Sequence, residues 1–401
     1  MEKEFEYKEE YGWLTNICLN VTDACNLACR YCFVEQHPHY MTLDTAKEAV
    51  HFILDNLEKK NKKFGNTKNK AKITFFGGEP TLMWNEIIVP LTNYIKKNNY
   101  PITLSMTTNG TLLNEKRIKF LKDNNFNLLL SIDGNEKTQN YNRPCQNGED
   151  SFEKVSKNIP ILLKYFPNIT FRGTIYADTV EETFNNYMYA IGQGFKNIFL
   201  MPDGRHNNWT ENKIESLKQE LDKIYIFMNK CFDNNIEPIN FSTINKSFQN
   251  LIDFANGEKK LEISRSFFRC GLGITSGAIG YDGSIYGCQE QPSKDLSNIF
   301  YIGNLKKGID VSLHSKLLLE YNKKNVATCY DLSLCKKCSL RQICLGWTCP
   351  STSWDLYNDF HVDNPIACIW REKIFANSMV LFSNLQNNEC FKQYFERGIK
   401  Q

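Results

Sequence analysis

Three thiols crowd into eight residues near the amino terminus, Cys25-Asn-Leu-Ala-Cys29-Arg-Tyr-Cys32. Three thiolates can hold three irons of a cubane 4Fe-4S cluster, and this spacing brings no fourth cysteine, so one iron would stay open to another ligand. Closely spaced cysteines also suit zinc, and the octet alone does not separate the two metals. A second set lies far downstream: Cys270, Gly283-x4-Cys288, Cys335-x2-Cys338-x5-Cys344-x4-Cys349 and Cys368. For Cys335 and Cys338 by themselves a zinc ribbon is the leading reading.

The elements that must position these residues can be read from the apolar pattern. Up to Pro202, short apolar runs alternate with helix-period segments, the pattern of parallel β/α units. Six strands are expected, at 15–21, 73–76, 102–107, 128–132, 170–176 and 197–201. The first helix places Ala46, Ala49, Val50, Ile53, Leu54 and Leu57 on one face, with Thr42 or Asp44 as its cap. Residues 59–72 read as a solvated basic connector. Thr179-Val-Glu-Glu182 has the form of a capping box, and Gly192 and Gly194 mark the stop of the helix it would open. After Met201 the alternation stops; 213–229 forms a long amphipathic helix with Ile214, Leu217, Leu221, Ile224 and Met228 on one face.

In β/α folds ligands sit at the carboxyl ends of the strands. Polar motifs fall there in series: Gly77-Gly78-Glu79-Pro80 after the second strand, Thr107-Thr108-Asn109-Gly110 after the third, Ser131-Ile132-Asp133-Gly134 after the fourth. Any one of them would serve as a turn; three behind a cysteine octet ask for a ligand.

Composition narrows the class. A chain of 401 residues has room for two or three domains, and its 48 basic and 45 acidic residues leave a charge of only +3, which does not support a bulk nucleic-acid binder. The opening Met-Glu-Lys-Glu-Phe-Glu lacks the apolar core of a signal peptide, and no apolar run is long enough to span a bilayer. The expectation is a cytoplasmic protein, without a membrane or nucleic-acid partner, in which the fifteen cysteines serve metal ligation instead of disulfide pairing, a few ordinary thiols aside.

The octet, with Tyr31 before its third cysteine, and the three strand-end motifs resemble the radical S-adenosylmethionine (radical SAM) enzymes over residues 14–202. The downstream cysteines resemble the SPASM extension, a twitch-type auxiliary-cluster domain of radical SAM enzymes that mature ribosomal peptides (RiPPs) or sulfatases. The last cysteine interval, four residues, departs from the commoner three. The resemblance implies an α/β fold, a partial (β/α)6 TIM-like barrel followed by a small cysteine-rich domain. The expected divisions are an extension at 1–14, the barrel at 15–234, a bridge at 235–269, the SPASM domain at 270–373 and a C-terminal helix at 374–401.

It also implies three 4Fe-4S clusters. Cys25, Cys29 and Cys32 would hold the cluster whose open iron binds SAM; Cys270, Cys288 and Cys349 an inner auxiliary cluster; Cys335, Cys338, Cys344 and Cys368 an outer one. Family members use the first cluster to cleave SAM to a 5'-deoxyadenosyl radical, which abstracts hydrogen from the substrate. Gly77, Gly78 and Glu79 match the motif facing the SAM amino group, Thr108 and Asn109 the ribose contact, Ser131 and Arg143 the pair addressing ribose and carboxylate. Ser276 stands where fully ligated members place a further cysteine, so an open inner iron able to take a substrate thiolate is expected unless Cys329 or Cys145 closes it. Cys18, Cys231 and Cys390 read as core or surface thiols.

The activity implied is oxidoreductase-type peptide maturation, with a cysteine thioether cross-link as the leading product and ferredoxin or flavodoxin as reductant. Sulfatase maturation (formylglycine formation), epimerisation and carbon–carbon cross-linking are the alternatives, and a zinc-ribbon scaffold is the non-enzymatic one. Phe76 and Gln289 stand where sulfatase-maturing members carry glutamine and a catalytic aspartate.

Overall fold

The computed structural model describes residues 6–65, 69–206, 208–244, 271–322, 338, 340, 349–360, 362 and 364–399. The six expected strands form, as β1 (Asn16–Thr22), β2 (Ala71–Gly77), β3 (Ile102–Thr108), β4 (Asn127–Ser131), β5 (Thr170–Ile175) and β6 (Asn197–Pro202). Each pairs in parallel with the next, giving the sheet of a partial barrel. The crossovers carry α1 (Leu43–Phe64), α2 (Val89–Lys97), α3 (Glu115–Asp123), α4 (Glu136–Asn142), α5 (Phe152–Ser156), α6 (Ile159–Tyr165) and α7 (Thr183–Gly192). The alternation the sequence shows is therefore the alternation the chain adopts.

Local chemistry sets the boundaries. Thr42 caps α1, its side chain accepting from the Thr45 amide at 3.1 Å, and Gly65 ends it in the left-handed region at φ +67°. Because α1 continues to Phe64, the basic connector is shorter than expected: Lys59, Lys60, Lys62 and Lys63 are helical, the last two in the final turn where they complement the helix dipole. The capping box at Thr179 does not form. Thr179 donates instead to the Asn142 side chain at 3.0 Å inside a 3-10 turn, Ala177–Glu182, and α7 starts only at Thr183.

The sheet also does not stop after β6. Helix α8 (Glu211–Asp233), buried through Leu217, Leu221, Ile224 and Met228, returns the chain to β7 (Asn240–Phe241), a two-residue strand parallel to β6. So short a strand carries no period to recognise. At the other edge β8 (Ser276–Ile279) pairs in parallel with β1, followed by antiparallel β9 (Ser284–Tyr286), β10 (Tyr301–Asn304) and β11 (Gly308–Ile309). The described strands thus make one eleven-stranded sheet, ordered β11-β10-β9-β8-β1-β2-β3-β4-β5-β6-β7. Asp282-Gly283-Ser284 makes the hairpin turn between β8 and β9, with Gly283 at φ +84°.

Helices α9 (Val311–Asn322), α10 (Pro350–Tyr357), α11 (Pro365–Leu385) and α12 (Glu389–Ile399) complete the described chain. Helix α11 docks on α8, where the buried Tyr225 hydroxyl donates to the Ile374 carbonyl at 3.1 Å and Lys373 pairs with Asp222 at 2.6 Å. Among the described residues no helix is long and apolar enough to cross a membrane.

Candidate active site

The cysteine octet is the loop that leaves β1 at its carboxyl end, and two neighbours fix its course. On one side lies the backbone of Gly77 and Gly78. The Gly78 amide donates to the Thr22 carbonyl at 2.8 Å, and the Glu79 amide to the Ala24 carbonyl at 2.9 Å. A Cβ at Gly78 would fall 2.1 Å from the Ala24 oxygen, so nothing larger than glycine permits the approach. On the other side the segment after α4 runs along the octet. The Ala28 amide donates to the Pro144 carbonyl at 2.8 Å and the Arg30 amide to the Asn142 carbonyl at 3.0 Å, while Leu27 and Cys145 form an antiparallel bridge. Cys145 therefore backs the octet, buried beside Lys154 Nζ at 3.3 Å, and lies behind the cavity wall.

Cys25, Cys29, Tyr31 and Cys32 line a cavity of about 310 Å³ at the carboxyl ends of the strands. Gly77, Gly78, Glu79, Thr108, Asn109, Ser131 and Arg143 open on the same cavity, so the fold brings the expected SAM set together. Glu79, 1% exposed, has both oxygens engaged within the protein: Oε1 accepts from the Thr108 hydroxyl at 2.7 Å and the Thr81 amide at 3.1 Å, Oε2 from the Asn109 amide at 2.8 Å. Burial raises its pKa, and these donors oppose the rise.

Asp133 is the residue that sequence reasoning left in a turn motif without a role. It is buried, receives the Tyr31 hydroxyl, accepts from Asn142 Nδ2 at 3.0 Å and the Thr174 amide at 2.9 Å, and pairs with Arg143 Nε at 3.0 Å. The Arg143 guanidinium stands 5.3 Å from the Tyr31 ring centroid. Burial alone would lower the Arg143 pKa, but Asp133 beside it holds it above the usual value. Arg172, on β5, also opens on this cavity and was missed, because one cation in a strand gives no motif.

The donor set fits an iron–sulfur cluster. Two of the three sulfurs already face N–H groups, Cys25 Sγ from Asn109 Nδ2 at 3.9 Å and Cys29 Sγ from Arg143 Nη1 at 3.9 Å. Burial pushes the Cys25 thiol up and the Cys29 thiol up to about 11, so both are neutral until a metal displaces the proton. Among the described residues no three His, Cys, Asp or Glu side chains close around a single point; the thiols ring a cavity mouth.

Residues 19–188, which span the octet and all three strand-end motifs, match the Radical SAM superfamily. The chain belongs to the radical SAM superfamily. It is an enzyme of that superfamily, whose cofactors are a 4Fe-4S cluster and SAM. A cysteine-type anaerobic sulfatase-maturating enzyme of Clostridium perfringens is 26% identical over 354 residues, 81% of this chain and 86% of that protein. The radical SAM cyclopropyl synthase TigE of Paramaledivibacter caminithermalis is 25% identical over 348 residues, 82% of this chain and 67% of that protein. The solved structure of native anSMEcpe with bound AdoMet and Cp18Cys peptide superposes with a TM-score of 0.68 at 23% identity, covering 93% of this chain and 99% of that one.

Behind the radical SAM cavity lies a second chamber of about 670 Å³. The two share Thr107, Leu129, Met201, Gln289 and Glu290 in their walls. Cys288 and Cys349 open on this chamber. Cys18, which sequence alone reads as an ordinary thiol, opens on it too. Cys338 and Cys368 are described, the latter in the first turn of α11; Cys270, Cys329, Cys335 and Cys344 lie outside the described residues. The two halves are tied by Arg205, which follows β6. It pairs with Glu290 and with Asp355 of α10, its guanidinium 5.4 Å from the Phe33 ring centroid, and Lys294 joins Asp355 at 2.6 Å.

Proposed function

We propose that this radical SAM enzyme modifies a peptide or protein substrate, and that it carries two further 4Fe-4S clusters in a SPASM domain. Cys270, Cys288 and Cys349 would hold the inner cluster, and Cys335, Cys338, Cys344 and Cys368 the outer one. The observation that supports this best is the second chamber: continuous with the SAM cavity, walled by barrel strands on one side and by Cys288 and Cys349 on the other. A substrate side chain in that chamber would lie between the SAM site and the inner cysteines. The bound cofactors would supply the radical and the electrons. This chain's residues do the rest. Asp133 holds Arg143 and Tyr31 at the octet, Glu79 braces the ends of β2 and β3, and the chamber wall shields the reacting C–H bond from water.

Thioether formation on a substrate cysteine is the reading we favour for the product, with a ferredoxin or flavodoxin as electron donor. Sulfatase maturation is the second reading, supported by the Clostridium perfringens relative. The residue after Cys288 bears on the choice. Gln289, whose Oε1 lies 2.8 Å from Cys18 Sγ, is a neutral amide and cannot take a proton as a carboxylate base would.

Anaerobically purified protein should be brown and hold about twelve irons if three cubanes are filled. Cys29→Ala should abolish 5'-deoxyadenosine formation with dithionite while the auxiliary irons remain; cleavage at the parental rate would remove the octet from the chemistry. Co-expression with a short cysteine-bearing peptide, read by mass spectrometry, separates the products. A thioether shows as loss of two hydrogens with the sulfur retained, formylglycine as loss of the sulfur.

A further inference from the structure

We propose that Cys18 supplies the fourth thiolate of the inner auxiliary cluster, from β1, in place of the thiol that Ser276 lacks. The assignment rests on the auxiliary-cluster reading above and adds a ligand to it. It also replaces the expectation of an iron left open for a substrate thiolate.

The argument begins with strand register. In the parallel pair of β1 and β8, Asn16 lies beside Ser276 and Cys18 beside Ala278. Alternate residues of a strand share a face, and so do partners in register, so Asn16, Cys18 and Ser276 point to one side of the sheet. That side is the chamber, and all three open on it. With strands about 4.8 Å apart and a rise of about 3.3 Å per residue, the Cys18 and Ser276 Cα atoms are separated diagonally by about 8 Å. The Cys18 side chain therefore reaches the space in front of Ser276.

Two other thiols face the same space. Cys288 and Cys349 line the chamber, and Cys18 Sγ lies 2.8 Å from Oε1 of Gln289, the residue that follows Cys288. The Ser276 hydroxyl donates to the Gly271 carbonyl at 3.2 Å. Of the alternatives weighed from sequence, Cys145 lies behind the octet and Cys329 is outside the described residues. Among the described cysteines, only Cys18, Cys288 and Cys349 open on this chamber. With Cys270, which the auxiliary-cluster reading above assigns to the same cluster, they would make four thiolates, the number a cubane takes from protein when none of its irons is kept for substrate.

The test uses the full chain carrying Cys25→Ala, Cys29→Ala and Cys32→Ala, so that only auxiliary clusters remain. Iron is counted, the dithionite-reduced protein is examined by EPR, and pulsed EPR is recorded with an isotopically labelled small thiol. The parent should hold about eight irons and show no coupling to the label. Adding Cys18→Ala should shift or abolish the inner-cluster signal, or admit the labelled thiol, while the outer-cluster signal persists. Adding Ser276→Cys to that chain should restore the parental spectrum. A Cys18→Ala spectrum identical to the parent's, with eight irons kept, overturns this assignment alone. Loss of both clusters that Ser276→Cys does not restore gives Cys18 a folding role and also overturns it. A parent with about four irons or fewer overturns the inner-cluster reading itself, and this ligand with it.

Discussion

Asp133 accepts from three donors and pairs with a buried guanidinium, which makes it the charge that keeps Arg143 at the octet. Asp133→Asn keeps the shape and removes that charge, leaving the Arg143 cation buried without compensation. The expected cost is about 3–5 kcal/mol of stability, and SAM affinity should fall about tenfold or more as Arg143 and Tyr31 lose their anchor. Thermal melting and SAM binding to the reconstituted protein measure both; parental values would show that Asp133 is not the anchor. The octet and the Gly77-Gly78-Glu79 motif could be found in the sequence because their partners lie a few residues apart. Asp133 could not, since Tyr31, Asn142 and Thr174 reach it from three separate segments. The place of Cys18 on the second chamber was not legible for a related reason: one cysteine in an apolar strand has the pattern of a core residue until the neighbouring strand is known.

At the scale of elements, the β2 turn and the octet loop meet backbone to backbone. Gly78→Ala puts a methyl 2.1 Å from the Ala24 oxygen, and since both groups are backbone neither can swing aside. The octet should shift and release its iron while the auxiliary irons stay, a loss of about four per chain; full iron with undiminished SAM cleavage would contradict the contact. Helix α9 offers a test by pH. His314 is fully buried beside the Tyr7 hydroxyl at 3.0 Å, and burial pushes its pKa down to about 4 from an ordinary 6.5. The folded chain holds it neutral while the unfolded chain takes up a proton between those values. Its contribution is therefore complete above about pH 6.5 and is lost as pH falls toward about 4, by on the order of 3 kcal/mol. In urea titrations His314→Gln should flatten the acid limb, and an unchanged slope would count against this. The apolar periods of α1 and α8 were readable from sequence, whereas the Thr179 capping pattern failed because Asn142 offers that hydroxyl a tertiary partner.

At the scale of the molecule, the segment carrying Cys288 joins the barrel by hydrogen bonds between β8 and β1, not through side chains alone. Amides of residues 276–279 should exchange with deuterium as slowly as those of β2, and exchange at the rate of an open loop would break this picture. The barrel strands were legible because each carries its own apolar run; the junction was not, because β8 reads Ser-Gly-Ala-Ile and shows no alternation. The junction also sets an order of events at the ribosome. β1 is made well before its partner on one side, which follows 260 positions later, Asn16 pairing with Ser276. At about 5–20 residues per second that edge waits roughly 13–50 s with its amides and carbonyls unpaired, next to the three thiols of the octet. An open strand edge is a template for joining another chain. The nascent protein thus passes through an interval in which it is most prone to self-association, and slower synthesis lengthens that interval.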